Sequence, residues 1–120
     1  MDEKSILITI KKMLGIEADY EAFDTDIIAL INSSLMVLTQ LGVGKLGFVL
    51  VDAKQTWADF LGDKLRYQTD TASYIYYRVR LAFDPPASSF VAESYKELIK
   101  EAEWRLNVEY ETPFEELEEG

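Results

Sequence analysis

Apolar residues recur every three or four positions along most of the chain, the spacing of an α-helix that buries one face. Residues 4–14 show this pattern first, and Gly15 follows where a left-handed C-cap is expected. The apolar face of the segment consists of Ile6, Ile10, Met13 and Leu14. The pattern predicts a short first helix and then a connector over residues 16–23.

A longer apolar stretch begins at Asp24 or Thr25, either of which suits an N-cap, and extends to about Leu41. Its apolar residues surround most of the helix, which predicts burial on several sides. One side carries Ile27, Ile31, Ser34, Leu38 and Leu41. Gly42 ends the helix, and the glycine-spaced residues 42–47 predict a flexible loop without the spacing of a phosphate-binding motif.

The middle of the chain is less regular. Residues 52–61 predict a short helix that Gly62 closes, and residues 63–70 are polar and predict a loop. Residues 71–83 alternate apolar and polar side chains as a strand does, yet no second strand of similar quality is present to pair with them. A helix is therefore favoured for 71–83. Its two arginines, at positions 78 and 80, lie in an apolar context and are expected to pair with carboxylates, either in the core or at an interface.

Proline separates the last two predicted helices. The Asp-Pro-Pro sequence at 84–86 stops the first of them, because proline lacks the N–H donor and restricts the residue before it. Ser88 or Ser89 then caps a final helix that extends to about Val108, so that the two helices form a hairpin-like pair. The predicted inward stripe of the final helix is Val91, Tyr95, Leu98, Ile99, Ala102 and Leu106.

Trp104 lies nearly opposite that inward stripe, on a face that it shares with Phe90 and Val108. A large aromatic side chain on the outer face of an acidic helix is expected to be covered. Another segment of the same chain, or a neighbouring subunit, would provide that cover, and the sequence leaves both alternatives open.

The 120-residue chain has the length of one domain and contains no cysteine and no histidine. The composition therefore excludes disulfides, the commonest general base and the commonest transition-metal ligand. No nucleophile with an adjacent base and no credible metal cluster is evident in the sequence. We expect no enzymatic activity and no cofactor. With no secretory signal and no apolar run of roughly 20 residues, a soluble intracellular protein is expected.

The formal net charge of −10 is concentrated at the C-terminus. Residues 109–120 carry six acidic residues and no basic one, whereas residues 1–108 carry 16 acidic and 12 basic residues. An acidic body disfavours binding to DNA phosphates. The chain is thus predicted to comprise a helical domain, 1–108, and an acidic tail, 109–120.

The tail has two interpretations. It is either a disordered acidic segment or an arm that orders on a partner. Its larger side chains, Tyr110, Phe114 and Leu117, recur at spacings of four and three, as the anchors of a helical stripe do. These side chains favour the arm, with Pro113 compatible only with the first turn of a helix.

Several stretches resemble head–tail connector proteins, the adaptor subunits beneath the portal of long-tailed phages. The first runs from Tyr74 to Pro86 and includes Phe-Asp-Pro-Pro, and Ser-Ser-Phe follows at 88–90. The next is Glu-Ala-Glu-Trp-Arg-Leu-Asn at 101–107, and residues 56–63 are also similar. The resemblance covers essentially the whole chain, more weakly in the first 50 residues.

The resemblance implies an all-α bundle of four to five helices with a long C-terminal helix. Copies of the chain would form a ring, dodecameric in the virion, that joins the portal to the head-completion or tail protein. The ring would extend the channel through which double-stranded DNA passes without specific binding. The expected location is the head–tail junction of the virion, and the host cytoplasm during assembly, with no membrane contact.

Three candidate surfaces follow within this interpretation. They are a subunit interface at Phe90, Trp104 and Val108, a partner-docking arm at Tyr110, Phe114 and Leu117, and a channel or partner loop at Gly42, Gly44, Lys45 and Gly47. The alternative function is a small acidic regulatory or DNA-mimic binding protein of phage origin. The position of six acidic residues in a tail, instead of along one extended surface, counts against it.

Overall fold

The computed structural model describes residues 4–111, and the side chains of residues 4–108. Within that range the only β-type contact is a single bridge between Ser5 and Thr56. The described helices are α1 (Ile6–Leu14), α2 (Asp24–Gln40), α3 (Trp57–Leu61), a 3-10 turn (Leu65–Tyr67), α4 (Gln68–Phe83) and α5 (Ser89–Glu111). The predicted all-α fold is confirmed.

Helix α4 is the central element and contacts α1, α2 and α5. Tyr74, Ile75 and Val79 are fully buried within it. A helix can bury side chains on several faces when each face meets a different partner, whereas a strand alternates between only two sides. This arrangement explains why the apolar pattern of 71–83 resembled a strand although the segment is helical.

Helix α1 begins and ends as predicted. The Ser5 hydroxyl accepts a hydrogen bond of 3.2 Å from the amide of Ile8, and Gly15 adopts a φ of 83° at the C-cap. The predicted cap of α2 is wrong, because Asp24 is already the first helical residue and Phe23 precedes it without a side-chain cap. The Asp24 carboxylate lies instead 2.8 Å from the Lys11 ammonium.

Lys11 is fully buried at the junction of α1 and the connector 16–23. Its ammonium donates to the carbonyls of Ala18 at 3.1 Å and Tyr20 at 2.7 Å, besides pairing with Asp24. A buried ammonium is tolerated only when its hydrogen bonds and its charge are satisfied. Lys11 therefore holds the connector against the first two helices.

The boundaries of α3 and α4 differ from the prediction. Helix α3 begins only at Trp57, because Thr56 and Asp59 form a capping box in which each side chain accepts from the other residue's backbone amide. The polar segment 63–70 is not a loop throughout, since it includes the 3-10 turn and the first turn of α4. A polar first turn leaves no apolar pattern in the sequence, so the start of α4 was predicted three residues late.

Helix α5 begins as predicted, with the Ser88 hydroxyl accepting from the amide of Val91 at 3.3 Å, and it continues to Glu111. Its inward stripe is correct at Ala102 and Leu106, which are buried, whereas Val91 and Leu98 are exposed. The exposure has a simple cause, because α5 packs mainly against α4 and a single neighbouring helix covers only part of its circumference.

The loop over residues 42–47 is packed at its centre instead of lying free. Val43 is fully buried, and the Lys45 amide donates to the Phe60 carbonyl at 2.8 Å. Gly44 has a φ of 81°, and a Cβ atom at this position would lie 2.2 Å from the Phe60 ring. The predicted loop is present, but it is held to α3.

A polar side chain fixes the continuation of this loop. The Asn32 amide group of α2 donates to the Leu50 carbonyl at 2.9 Å, and its oxygen accepts from the Leu50 amide at 2.8 Å. Asn32 thus satisfies both backbone groups of a buried residue, as a neighbouring strand would.

Alanine substitution of two loop glycines should separate backbone strain from steric overlap. Both Gly44 and Gly47 have positive φ, but only Gly44 has a neighbour within 4 Å of an added Cβ. We expect Gly47→Ala to lower the free energy of unfolding by about 1 kcal/mol. Gly44→Ala should lower it by about 3 kcal/mol, because Phe60 must also move. Urea denaturation measures both changes, and equal losses would contradict close packing at Gly44.

Candidate functional site

The outer face of α5 presents large apolar side chains to solvent. Trp104 is 70% exposed and Phe90 is 79% exposed, and Val108 is exposed on the same face. No part of the described chain covers the Trp104 ring. Trp104 is therefore not covered by the described part of its own chain. A neighbouring molecule, or residues outside the described range, would have to provide the cover.

The three residues of the predicted interface do not form one patch. Trp104 and Val108 are one helical turn apart, whereas Phe90 lies 14 residues before Trp104, or about 21 Å along the helix axis. Phe90 is therefore next to the proline turn at 84–86, at the far end of α5. The structure brings Trp104 and Val108 together and leaves Phe90 apart from them.

The edges of the Trp104 patch are polar. Glu97 and Glu101 lie on the same face of α5, and Arg105 is 4.0 Å from the Glu101 carboxylate. An exposed aromatic ring with charged residues around it has the composition of a protein–protein interface, in which a polar rim surrounds an apolar centre.

The glycine loop begins next to the C-terminal end of α5. The Asn107 amide donates to the Leu41 carbonyl at 2.9 Å, and residues 42–47 follow directly. Lys45 is exposed there, and Leu46 is 83% exposed. The predicted loop residues thus lie at the same end of the molecule as Trp104 and Val108.

An apolar surface that the sequence pattern did not predict follows this loop. Val49 and Val51 are exposed, whereas Leu50 between them is buried. In the sequence, Val49, Leu50 and Val51 form a short run of apolar residues. Only the structure shows which members of that run face solvent.

The arm residues lie at the limit of the described chain. Tyr110 belongs to the helical backbone of α5, while Phe114 and Leu117 lie outside the described residues. The interpretation of these three side chains as docking anchors remains a prediction.

The contact between α4 and α5 combines aromatic and polar groups. The buried Tyr74 hydroxyl donates to the Glu103 carboxylate at 2.8 Å, and the Tyr77 and Tyr95 rings are 4.9 Å apart. Burial raises the pKa of Tyr74 well above its ordinary value, and the hydrogen bond to Glu103 raises it further. The hydroxyl therefore remains a neutral donor over a wide range of pH.

The two arginines of α4 have different partners. The Arg78 guanidinium donates to the Ser34 hydroxyl at 3.0 Å instead of pairing with a carboxylate in the described core, and its pairing at an interface stays a prediction. Arg80 does lie near a carboxylate, 3.7 Å from that of Asp84, and this pair is solvent-exposed. Arg78 therefore links α4 to α2, while Arg80 borders the proline turn.

A groove of about 510 Å³ lies between α1 and the start of α4. Its walls are largely apolar, with Ile8, Met13 and Ile16 on one side and Ala72 on the other. Among the described residues that line it, Lys12 alone is charged.

Within residues 4–111, no helix has the length and apolar character to cross a membrane. In the same range, the acidic side chains form no group of three or more that could hold a metal ion.

The chain matches the family model described as phage connector protein over residues 6–113. It belongs to the phage connector family. The match includes the five α-helices of the described residues and ends before Phe114 and Leu117. No curated protein and no solved structure matches the chain.

Membership of this family confirms the resemblance that the sequence suggested and makes the protein a phage structural component. Connectors assemble with other structural proteins of the phage, so exposed apolar residues on the described surface are candidate contacts.

Because the folded connector raises the pKa of Tyr74, alkaline pH should destabilise it. Above about pH 10 the unfolded chain loses the Tyr74 proton while the folded chain retains it, so the unfolded state is favoured as pH rises. We expect Tyr74→Phe to lose less free energy of unfolding than the natural chain between about pH 9 and about pH 11.

Urea denaturation at the two pH values, with circular dichroism as the readout, measures this difference. Tyr20→Phe is the control, since Tyr20 is half exposed and lies outside the α4–α5 contact. Identical pH slopes for Tyr74→Phe and the natural chain would contradict the assignment.

Proposed function

We propose that this connector forms a ring at the head–tail junction and joins the portal to the head-completion or tail protein. The observation that carries the proposal is the exposed Trp104 on the outer face of α5, in a chain of the phage connector family. Exposure of a tryptophan is unfavourable in an isolated subunit, and tryptophan is among the residues that dominate binding energy at interfaces.

A ring requires a head-to-tail interface, in which two different surfaces of the subunit meet. The patch of Trp104 and Val108 supplies one of these surfaces, and Glu97, Glu101 and Arg105 supply its polar rim. Phe90, at the far end of α5, contacts a separate part of the neighbouring subunit. The resemblance to head–tail connectors supports a dodecamer.

The proposed ring extends the DNA channel without binding DNA tightly. Residues 1–108 carry four more acidic than basic residues, and the tail adds six more acidic ones. Such a surface repels phosphate groups, so double-stranded DNA passes without being held. Lys45 and the three glycines of the loop 42–47 form the candidate contact to the channel or to a partner protein.

The arm completes the proposed assembly. The anchor residues Tyr110, Phe114 and Leu117 engage a neighbouring subunit or the portal, and the six acidic residues keep the arm soluble before assembly. The subunit is thus present in the host cytoplasm during assembly and at the head–tail junction in the virion.

Replacement of Trp104 should impair assembly but not folding. Because the ring is 70% exposed, Trp104→Ala is expected to change the free energy of unfolding by at most about 0.5 kcal/mol. The same change should remove about 2 kcal/mol or more from each subunit contact and abolish ring formation.

Native mass spectrometry over a range of concentrations, with and without portal protein, provides the test. Met36→Ala is the matched control, because Met36 is also an exposed apolar side chain but lies on α2. Rings that form equally well with Trp104→Ala would refute the interface assignment.

Removal of the acidic arm should separate docking from folding. Deletion of residues 112–120 leaves every described helix intact, so the thermal midpoint should change little. We expect portal binding to weaken at least about tenfold, because two of the three anchors are lost. Surface plasmon resonance against immobilised portal protein measures the loss, and unchanged affinity would exclude the portal as the partner of the arm.

A further inference from the structure

We propose that the groove between α1 and α4 receives the acidic arm of a neighbouring connector subunit. The inference rests on the proposed ring and goes beyond it. The proposed function gives the partner of the arm as a neighbouring subunit or the portal, and the groove assigns the arm to a neighbouring subunit. The relevant arm residues, Phe114 and Leu117, lie beyond the part of the chain that matches the family model.

The groove has the apolar character that a helical arm requires. Ile8, Met13 and Ile16 form one wall, and Ala72 and Thr69 of α4 form the other. Its volume of about 510 Å³ accommodates several side chains. Phe114 and Leu117 are three residues apart and directly follow Pro113, which suits the first turn of a helix, so they have the spacing with which a short amphipathic helix places its anchors in such a groove.

The charges of the two segments are complementary. Lys12 is the one charged residue among the described residues that line the groove, whereas residues 109–120 carry six acidic residues and no basic one. Lys11 is buried and already paired with Asp24, so it is satisfied within the subunit. Lys12 is exposed on the wall of the groove and is the charge that meets the arm. Apolar contact supplies the affinity, and Lys12 orients the acidic side of the arm.

The position of the groove favours the arm of a neighbour over the arm of the same chain. Tyr74 and Tyr77 face α5, and α5 runs antiparallel to α4, so the arm leaves at the end where α4 begins. Ala72, however, lies about 160° around the axis of α4 from Tyr74. The groove therefore opens on the side of α4 away from α5. In a head-to-tail ring the donor and the acceptor surfaces lie on different sides of the subunit, as they do here.

Site-directed cross-linking tests the proposal directly, because the natural chain has no cysteine. Two full-length variants are mixed at high concentration under mild oxidation: Leu117→Cys, which marks the arm, and isotopically labelled Thr69→Cys, which marks the groove. Both contact surfaces belong to the connector itself, so no portal protein is required. Intact-mass analysis counts the mixed disulfide dimers, which arise only between different chains.

We expect several-fold more mixed dimer than with Leu117→Cys and Ala82→Cys, because Ala82 is exposed on the same helix but lies at its other end. Adding Lys12→Glu to the groove variant should reduce the yield, because the new charge repels the acidic arm, while the apolar contact should keep it above the level of the Ala82 pair. Lys54→Glu, a change of an exposed lysine outside the groove, should leave the yield unchanged.

Two outcomes overturn the proposal. One is a yield from Thr69→Cys no greater than from Ala82→Cys. The other is a chain with both Thr69→Cys and Leu117→Cys that cross-links only within itself, which would place the arm in its own groove. Neither result affects the proposed ring, since ring formation and its loss with Trp104→Ala are measured separately by native mass spectrometry.

Discussion

Burial of α4 against three other helices is the constraint on which the rest of the connector depends. Helix α4 packs against α1, α2 and α5 at once, and its residues Ile75 and Val79 have no exposed surface. In a chain of this size, one domain core must provide most of the stability, because only about two-thirds of the surface is buried on folding. Each of these helices is therefore positioned by its contact with α4, and the surfaces that remain exposed follow from that arrangement.

Helix α5 shows how one element serves both folding and assembly. Ala102 and Leu106 are buried on its inner face, while Trp104, between them in sequence, lies on the outer face. Helical geometry separates neighbouring residues by about 100°, so a single turn carries a core contact and a candidate interface contact. Changes to Trp104 are consequently able to alter assembly while the core of the subunit is unchanged.

Polar side chains take over the role of regular structure where the connector has none. Lys11 donates to two carbonyls of the segment 16–23, and Asn32 bonds to both backbone groups of Leu50. Buried backbone groups need partners, and these two residues provide them without a sheet. Long irregular segments thereby become fixed surfaces that present Lys45, Leu46 and their neighbours in defined positions.

The sequence by itself determined the all-α class, the helix over 71–83, the stop at the Asp-Pro-Pro turn and the opposite placement of Trp104 and Leu106 on the last helix. The turn and the placement of Trp104 depend on local geometry, namely the missing donor of proline and helical periodicity, which short segments carry in full. The helix over 71–83 followed instead from the absence of a second strand, because its own alternation is typical of a strand. The tertiary structure alone decided that Asp24 pairs with Lys11 instead of capping α2, and that Val91 and Leu98 are exposed on a helix with one main neighbour. It also decided that the groove beside Lys12 exists, because a groove forms between segments more than 50 residues apart in the chain. No local pattern encodes which surfaces of two distant helices leave a space between them.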